Sequence, residues 1–276
     1  MVVMNAPETQ VDAQAAARAL LAFWRAAGVD MDMAEAVYAT SARPAEARRA
    51  TAPSAPKPVA TRAKPKAAAD VDVAVTLAKA AQSVADLRAA AMGFEGCALK
   101  ATARNTVFSD GQDDAPVLVI GEAPGRDEDQ QGKPFVGPAG AMLDRMLAAI
   151  ALSRQSNVLI SNIIYWRPPG DRDPTPGELL VCQPFVERLI ELKQPKLLVL
   201  VGKTAAQAAL QRQEPVNKLR SRRLSYSRDG LALPVNAIVM LHPAYLMRQP
   251  QQKRLAWADL LAARAWLDEL GVARAP

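Results

Sequence analysis

The chain has 276 residues, half of them hydrophobic and 5% aromatic, with a net charge of +6. That length supports one large domain or two small ones with a substantial core. Two cysteines, Cys97 and Cys182, are too few for a disulfide framework. No apolar run reaches the ~18 residues of a membrane-spanning helix. Residues 1–10 lack a basic stretch leading into an apolar one, so no signal peptide is expected and the expected compartment is the cytoplasm.

Residues 13–28 predict a short helix, with Leu20, Leu21 and Trp24 at helical spacing and Gly28 at its end. Residues 43–70 are rich in Ala, Pro and Lys without apolar periodicity, and predict a disordered, extended linker. Seven cations and one anion fall within residues 43–66, so this segment carries the whole +6 and the rest of the chain is neutral. It reads either as a solvated tether or as a non-specific attractor of phosphate backbones. The division is thus an N-terminal helical segment (1–42), the linker (43–70) and a globular domain (71–276).

Residues 73–91 predict one or two helices. Four apolar strand candidates follow: Val117-Leu118-Val119-Ile120, Val158-Leu159-Ile160-Ser161, Leu197-Leu198-Val199-Leu200-Val201 and Ile238-Val239-Met240-Leu241. Continuous apolar runs of this length fit strands buried on both faces. Helices are expected over 139–150, 176–192, 204–210 and 253–270, and Asp229-Gly230 signals a hairpin turn before the fourth strand. The alternation predicts a three-layer α/β/α domain around a four-stranded, mainly parallel sheet.

In such sheets ligands bind beyond the carboxyl ends of the strands. Those ends carry Gly121-Glu122-Ala123-Pro124-Gly125, Asn162, Gly202-Lys203-Thr204 and His242-Pro243. His242 is the only histidine, which rules out a histidine metal cluster or a His–His relay. It is either a solvated loop residue or a donor to charge developing on a substrate. Asn162 could cap a helix or read a heterocycle with its paired donor and acceptor. Phe135, in a loop with three glycines, is a stacking platform or a loop anchor. Gly202-Lys203-Thr204 resembles the end of a phosphate loop, but Leu197 stands where the motif needs glycine, so an ATP site is rejected.

Four strings occur in order: GEAPG (121–125), GKPFVGPAG (132–140), SNIIYWRPPGDRDPTPGE (161–178) and HPAYLMR (242–248). Together they resemble family 4 of the uracil-DNA glycosylase superfamily, over about residues 93–270. The resemblance implies cleavage of the N-glycosidic bond of deoxyuridine in DNA, with the base taken out of the stack into a pocket. It implies that Phe135 stacks on uracil, that Asn162 reads O4 and N3–H, and that His242 donates to O2 of the leaving base. Leu246 would wedge into the vacated stack, and Arg248 with the turn from Gly137 to Gly140 would meet phosphates. Gly121 and Ala123 would line the base site, and Glu128 would help to exclude a thymine methyl. Ala123 stands where some families of the superfamily carry a water-positioning aspartate. Glu122 beside it would steady the sugar cation or orient water.

The family resembles a group with four cysteines around a [4Fe–4S] cluster. Here two of those positions are Phe94 and Trp166, leaving Cys97 and Cys182. Two thiolates cannot supply a Cys₄ set, so no cofactor and no metal is expected, with Phe94 and Trp166 as an apolar plug. The expected partner is uracil-containing DNA, with no membrane contact, and the expected state is a monomer. The alternative is a glycosylase fold that binds uracil-containing or damaged DNA without turnover. A variant that attaches covalently to its product site is excluded, because its basic loop ends in a second histidine.

Overall fold

The computed structural model describes residues 66–275. The helix expected over 13–28 and most of the linker lie outside these residues. The linker boundary shifts, because helix α1 (Lys66–Ala80) already begins inside residues 43–70. The region expected as one or two helices is two: α1 and α2 (Val84–Gly93). The break falls at Ser83, whose hydroxyl accepts from the Asp86 N–H at 3.1 Å, while the Asp86 carboxylate accepts from Gln82 N–H.

The sheet has six strands, two more than the sequence predicts: β1 (Ser109–Gly111), β2 (Val117–Gly121), β3 (Val158–Asn162), β4 (Leu197–Val201), β5 (Leu224–Tyr226) and β6 (Val235–Met240). Their order is β1-β3-β2-β4-β6-β5. The four anticipated strands form the parallel centre, and the extra two pair antiparallel at either edge. Every residue of β2, β3 and β4 is buried, as continuous apolar runs require. The edge strands escape sequence reading because each has only three residues. Ser109-Asp110-Gly111 carries no apolar signal at all. The Asp229-Gly230 turn does close the β5–β6 hairpin, with Gly230 at φ 100°.

The connecting helices are α3 (Arg126–Gln131), α4 (Pro138–Ala148), α5 (Pro176–Lys193), α6 (Lys203–Leu210), α7 (Val216–Leu219), α8 (Pro243–Arg248) and α9 (Lys253–Glu269). Successive strand residues face opposite ways. Leu118, Ile120, Leu159, Leu198, Leu200 and Val239 enter one core with α1, α2, α5 and α6. Val119, Ile160, Val199 and Ile238 face the other layer, where α4, α8 and α9 bury Met142, Leu143, Leu246, Leu260 and Leu267. Asp259 on α9, fully buried, takes the Arg220 guanidinium at 2.8 Å and ties the last helix to the turn before β5. Among the described residues no helix is long and apolar enough to cross a membrane.

The chain leaves β2 toward β3 but leaves β4 toward β6. The sheet order therefore reverses between the carboxyl ends of β2 and β4, the place where α/β sheets open a crevice.

Candidate active site

The strand tips stand at one level. Gly121 pairs with Asn162, and Val201 with Met240. The ladder continues past the strands: Ile163 N–H donates to Gly121 O and Ile164 N–H to Glu122 O, both at 2.9 Å. The GEAPG turn is thereby held beside Asn162. Across the crevice Gly202 N–H donates to Met240 O at 2.9 Å. An open groove of about 960 Å³ lies over these tips, with Glu122, Ala123, Leu241, His242, Tyr245 and Arg248 among its walls.

Phe135 and Asn162 are buried, 6% and 1% exposed. A Cβ on Gly121 would come within 2.5 Å of both Asn162 Oδ1 and the Phe135 ring. Glycine at 121 is therefore what lets the ring and the amide meet over the end of β2. Asn162 Oδ1 is buried and has no hydrogen-bond partner among the described residues. A buried acceptor left unpaired costs free energy on the order of 1–3 kcal/mol, so this atom at a strand tip calls for an explanation. Asn162 ends a strand and does not cap a helix, which removes the capping alternative.

The Phe135 ring centroid is 5.7 Å from that of His242, with 33° between planes. His242 is the N-cap of α8, and its Nδ1 accepts from Ala244 N–H at 3.2 Å. An accepting Nδ1 carries no proton, so the proton of the neutral ring sits on Nε2, which is left as a donor. Burial first, and the nearby Arg248 charge second, push the imidazole pKa down to about 4. At neutral pH this is an uncharged N–H donor. Gly202, at φ 93°, backs it: a Cβ there would lie 3.1 Å from His242 Cβ. Its positive φ and this contact explain the glycine that sequence reading met only as a failed phosphate loop.

Burial raises the pKa of Glu122 above the ordinary glutamate value, opposed by the Thr204 hydroxyl and, more weakly, by Lys203. Thr204 on α6 thus acts on the carboxylate of the β2 turn. Thr204 was visible only as part of the rejected phosphate loop.

Three anticipated roles change. Leu246 is fully buried, because Pro243 and Leu246 share the inward face of α8, three residues apart. It does not project into the groove as a wedge; Tyr245 and Met247 are the exposed apolar side chains of this helix. Gly140 is buried too, and a Cβ there would lie 1.9 Å from Phe135 O. It is a packing glycine beneath the loop. Gly137 N–H, expected at a phosphate, donates to Glu128 Oε1 at 3.1 Å. Glu128 also accepts from Val136 N–H and, through Oε2, from Gly125 N–H, each at 3.1 Å. It clasps the two glycine loops together, so any influence of Glu128 on a bound base runs through their shape. Ala123 and Arg248 stand on the groove wall.

The positions that resemble cluster ligands lie in the core beneath α2 and α5. Phe94 and Trp166 are each 1% exposed, their centroids 6.4 Å apart, and Phe94 packs on Phe185 at 5.2 Å. Trp166 Nε1–H donates to Thr106 Oγ1 at 3.0 Å. Cys97 and Cys182 are buried and unbridged, and each perturbs the other: the neighbouring Cys182 lowers the Cys97 thiol pKa, while Cys97 and burial raise that of Cys182. Among the described residues no group of three or more His, Cys, Asp or Glu is arranged to hold a metal. Two aromatic rings stand where two thiolates are needed, so the residues present do not fit a four-cysteine cluster.

The domain is thus a parallel α/β/α core with a switch-point crevice, His242 on the groove wall and the Phe135 ring packed beside His242 and, at Gly121, beside the Asn162 amide. Residues 108–261 match the model of the uracil DNA glycosylase superfamily, and the chain belongs to that superfamily. It is similar to three proteins named type-4 uracil-DNA glycosylase. That of Archaeoglobus fulgidus is 37% identical over 62% of this chain and 86% of its own length. That of Saccharolobus solfataricus is 32% identical, over 59% and 76%. That of Thermotoga maritima is 30% identical, over 63% and 90%.

Proposed function

We propose that the protein hydrolyses the N-glycosidic bond of deoxyuridine in DNA, releasing uracil and leaving an abasic site, and that it does so as a monomer. The observation that supports this reading is the unpartnered Oδ1 of Asn162, 1% exposed and beside the Phe135 ring at Gly121, with the His242 imidazole 5.7 Å from that ring. Uracil offers N3–H to that oxygen and O4 to the amide N–H₂. Cytosine reverses both, leaving buried groups unpaired. The Phe135 ring gives the flipped base a stacking face. His242 Nε2–H donates to O2 as negative charge builds on the departing base. A neutral donor serves better than a cation here, because it need not shed a proton to release the product. Glu122, beside Ala123 on the β2 turn, faces the groove, where its carboxylate steadies the sugar cation or orients water. Arg248 and Lys203 are the groove cations available to phosphates, since Arg172 is paired with Glu178. The protein works without an iron–sulfur cluster, since the space of two ligands is filled by Phe94 and Trp166.

A uracil-containing oligonucleotide followed by alkaline strand cleavage tests this. The protein is expected to cut at uracil. His242→Ala and Asn162→Ala are each expected to lower kcat by about 10²–10³ while leaving thermal unfolding unchanged, the usual loss for one preorganised donor. Retardation of the oligonucleotide in a gel without cleavage assigns a binding protein instead. Protein purified without oxygen is expected to be colourless; cluster absorbance with stoichiometric iron is the contrary result.

A further inference from the structure

We propose that Arg154 is a positioning residue for the stacking ring of Phe135, a role that rests on the base-stacking reading above. Arg154 lies in the turn between α4 and β3, away from the groove, and is 9% exposed. All five of its guanidinium N–H groups are engaged. Nε and Nη2 donate to Asp144 Oδ1 at 2.9 and 2.8 Å, and Nη1 to Asp110 Oδ2 at 2.9 Å. The remaining two reach the backbone of the stacking loop: Nη1 to Pro134 O at 3.1 Å and Nη2 to Phe135 O at 2.8 Å.

Phe135 needs that hold. Its φ is 53°, in the left-handed region that a bulky residue rarely occupies. Such a conformation persists only where the surroundings over-determine it, and it clusters at functional sites. Its carbonyl is trapped between Gly140, which leaves no room for a Cβ, and the Arg154 guanidinium. One residue on, Val136 and Gly137 N–H are held by Glu128. Carbonyls on one side and amides on the other fix the peptide from which the ring projects. A purely structural arginine would need only Asp110 and Asp144. The two carbonyl contacts are what an ion pair between the first strand and α4 leaves unexplained. Lysine cannot replace the planar fork, since a point charge does not serve two carboxylates and two carbonyls in one plane.

The test is a double-mutant cycle in the full chain, read by kcat/KM on a uracil oligonucleotide and by inhibition with free uracil, a ligand that meets only the base pocket. Arg154→Lys is expected to lower kcat/KM and weaken uracil inhibition by about tenfold each, a modest misplacement effect. In a Phe135→Ala background the same change is expected to have less than about a twofold further effect, because the ring it positions is gone. Asp144→Asn, at a half-exposed carboxylate, loosens the guanidinium without removing it and gives the same pattern at smaller size should Arg154→Lys not fold. An equal loss from Arg154→Lys with and without the Phe135 ring overturns the positioning role and leaves stacking intact. Unimpaired excision by Phe135→Ala overturns stacking itself, and the positioning role with it.

Discussion

His242 shows how much one side chain can reveal when it is the sole member of its type. Its Nδ1 is tied to Ala244 N–H and its ring is pressed between Phe135 and Gly202, so the native chain keeps it neutral down to about pH 4. In the unfolded chain a histidine titrates near pH 6.5. Between those values the unfolded state binds one more proton, so this group's contribution to stability is present above about pH 6.5. It is lost as pH falls toward 4 and changes no further below. The maximal slope is about 1.4 kcal/mol per pH unit. Urea unfolding of the wild type and of His242→Gln at half-unit steps between pH 4 and 8 isolates it. The difference between the two curves is expected to narrow on acidification, and a difference independent of pH contradicts a buried neutral ring. A one-dimensional proton spectrum is a second check, since the single imidazole resonance is expected to stay put from pH 8 to 5. That His242 follows a strand was legible in the apolar run before it. The tautomer was not, because it depends on a backbone amide two residues on that only the α8 cap brings into reach.

At the scale of elements, legibility followed burial. β2, β3, β4 and the second half of β6 read directly from the sequence, because sheets covered on both faces demand unbroken apolar runs. β1, β5 and α3 did not. The first two are three-residue edges, and α3 is six polar residues organised by Gly125 at its start and the Glu128 side chain. Leu246 shows the limit of a string: its place in HPAYLMR says nothing about which way α8 turns its faces. The loop after β3 behaves differently again. Trp166 was marked by an absence, a ring where a cysteine was expected, and the core shows what that ring does. It packs on Phe94 and Tyr165 and satisfies its own N–H at Thr106. Removing such a side chain takes away both buried area and packing neighbours. Trp166→Ala is expected to cost about 3–5 kcal/mol in chemical denaturation. A loss under about 1 kcal/mol would mean that the neighbouring elements close over the gap and that the rings are no plug.

The molecule as a whole separates charge from chemistry. The +6 resides in residues 43–66, while the remaining chain, which carries every candidate site residue, is neutral overall. Within the groove Arg172, Lys203 and Arg248 are interspersed with Glu122, Asp171 and Asp173. Such a mixed surface orients a strand but attracts one weakly from a distance. The two functions can therefore be separated by experiment. Replacing Arg43, Arg48, Arg49, Lys57, Arg62 and Lys64 by glutamine removes six charges and leaves the groove untouched. If these cations sit on DNA phosphates, each loss makes the dependence of log affinity on log salt less steep by about 0.9 on a duplex, or about 0.7 on a single strand. The expected result is weaker binding at low salt, convergence with the wild type at high salt, and an unchanged kcat at saturating oligonucleotide. An unaltered salt slope makes the segment a tether. A fall in kcat at saturation would instead bring these cations into the chemical step, where nothing in the crevice at the ends of β2 and β4 calls for them.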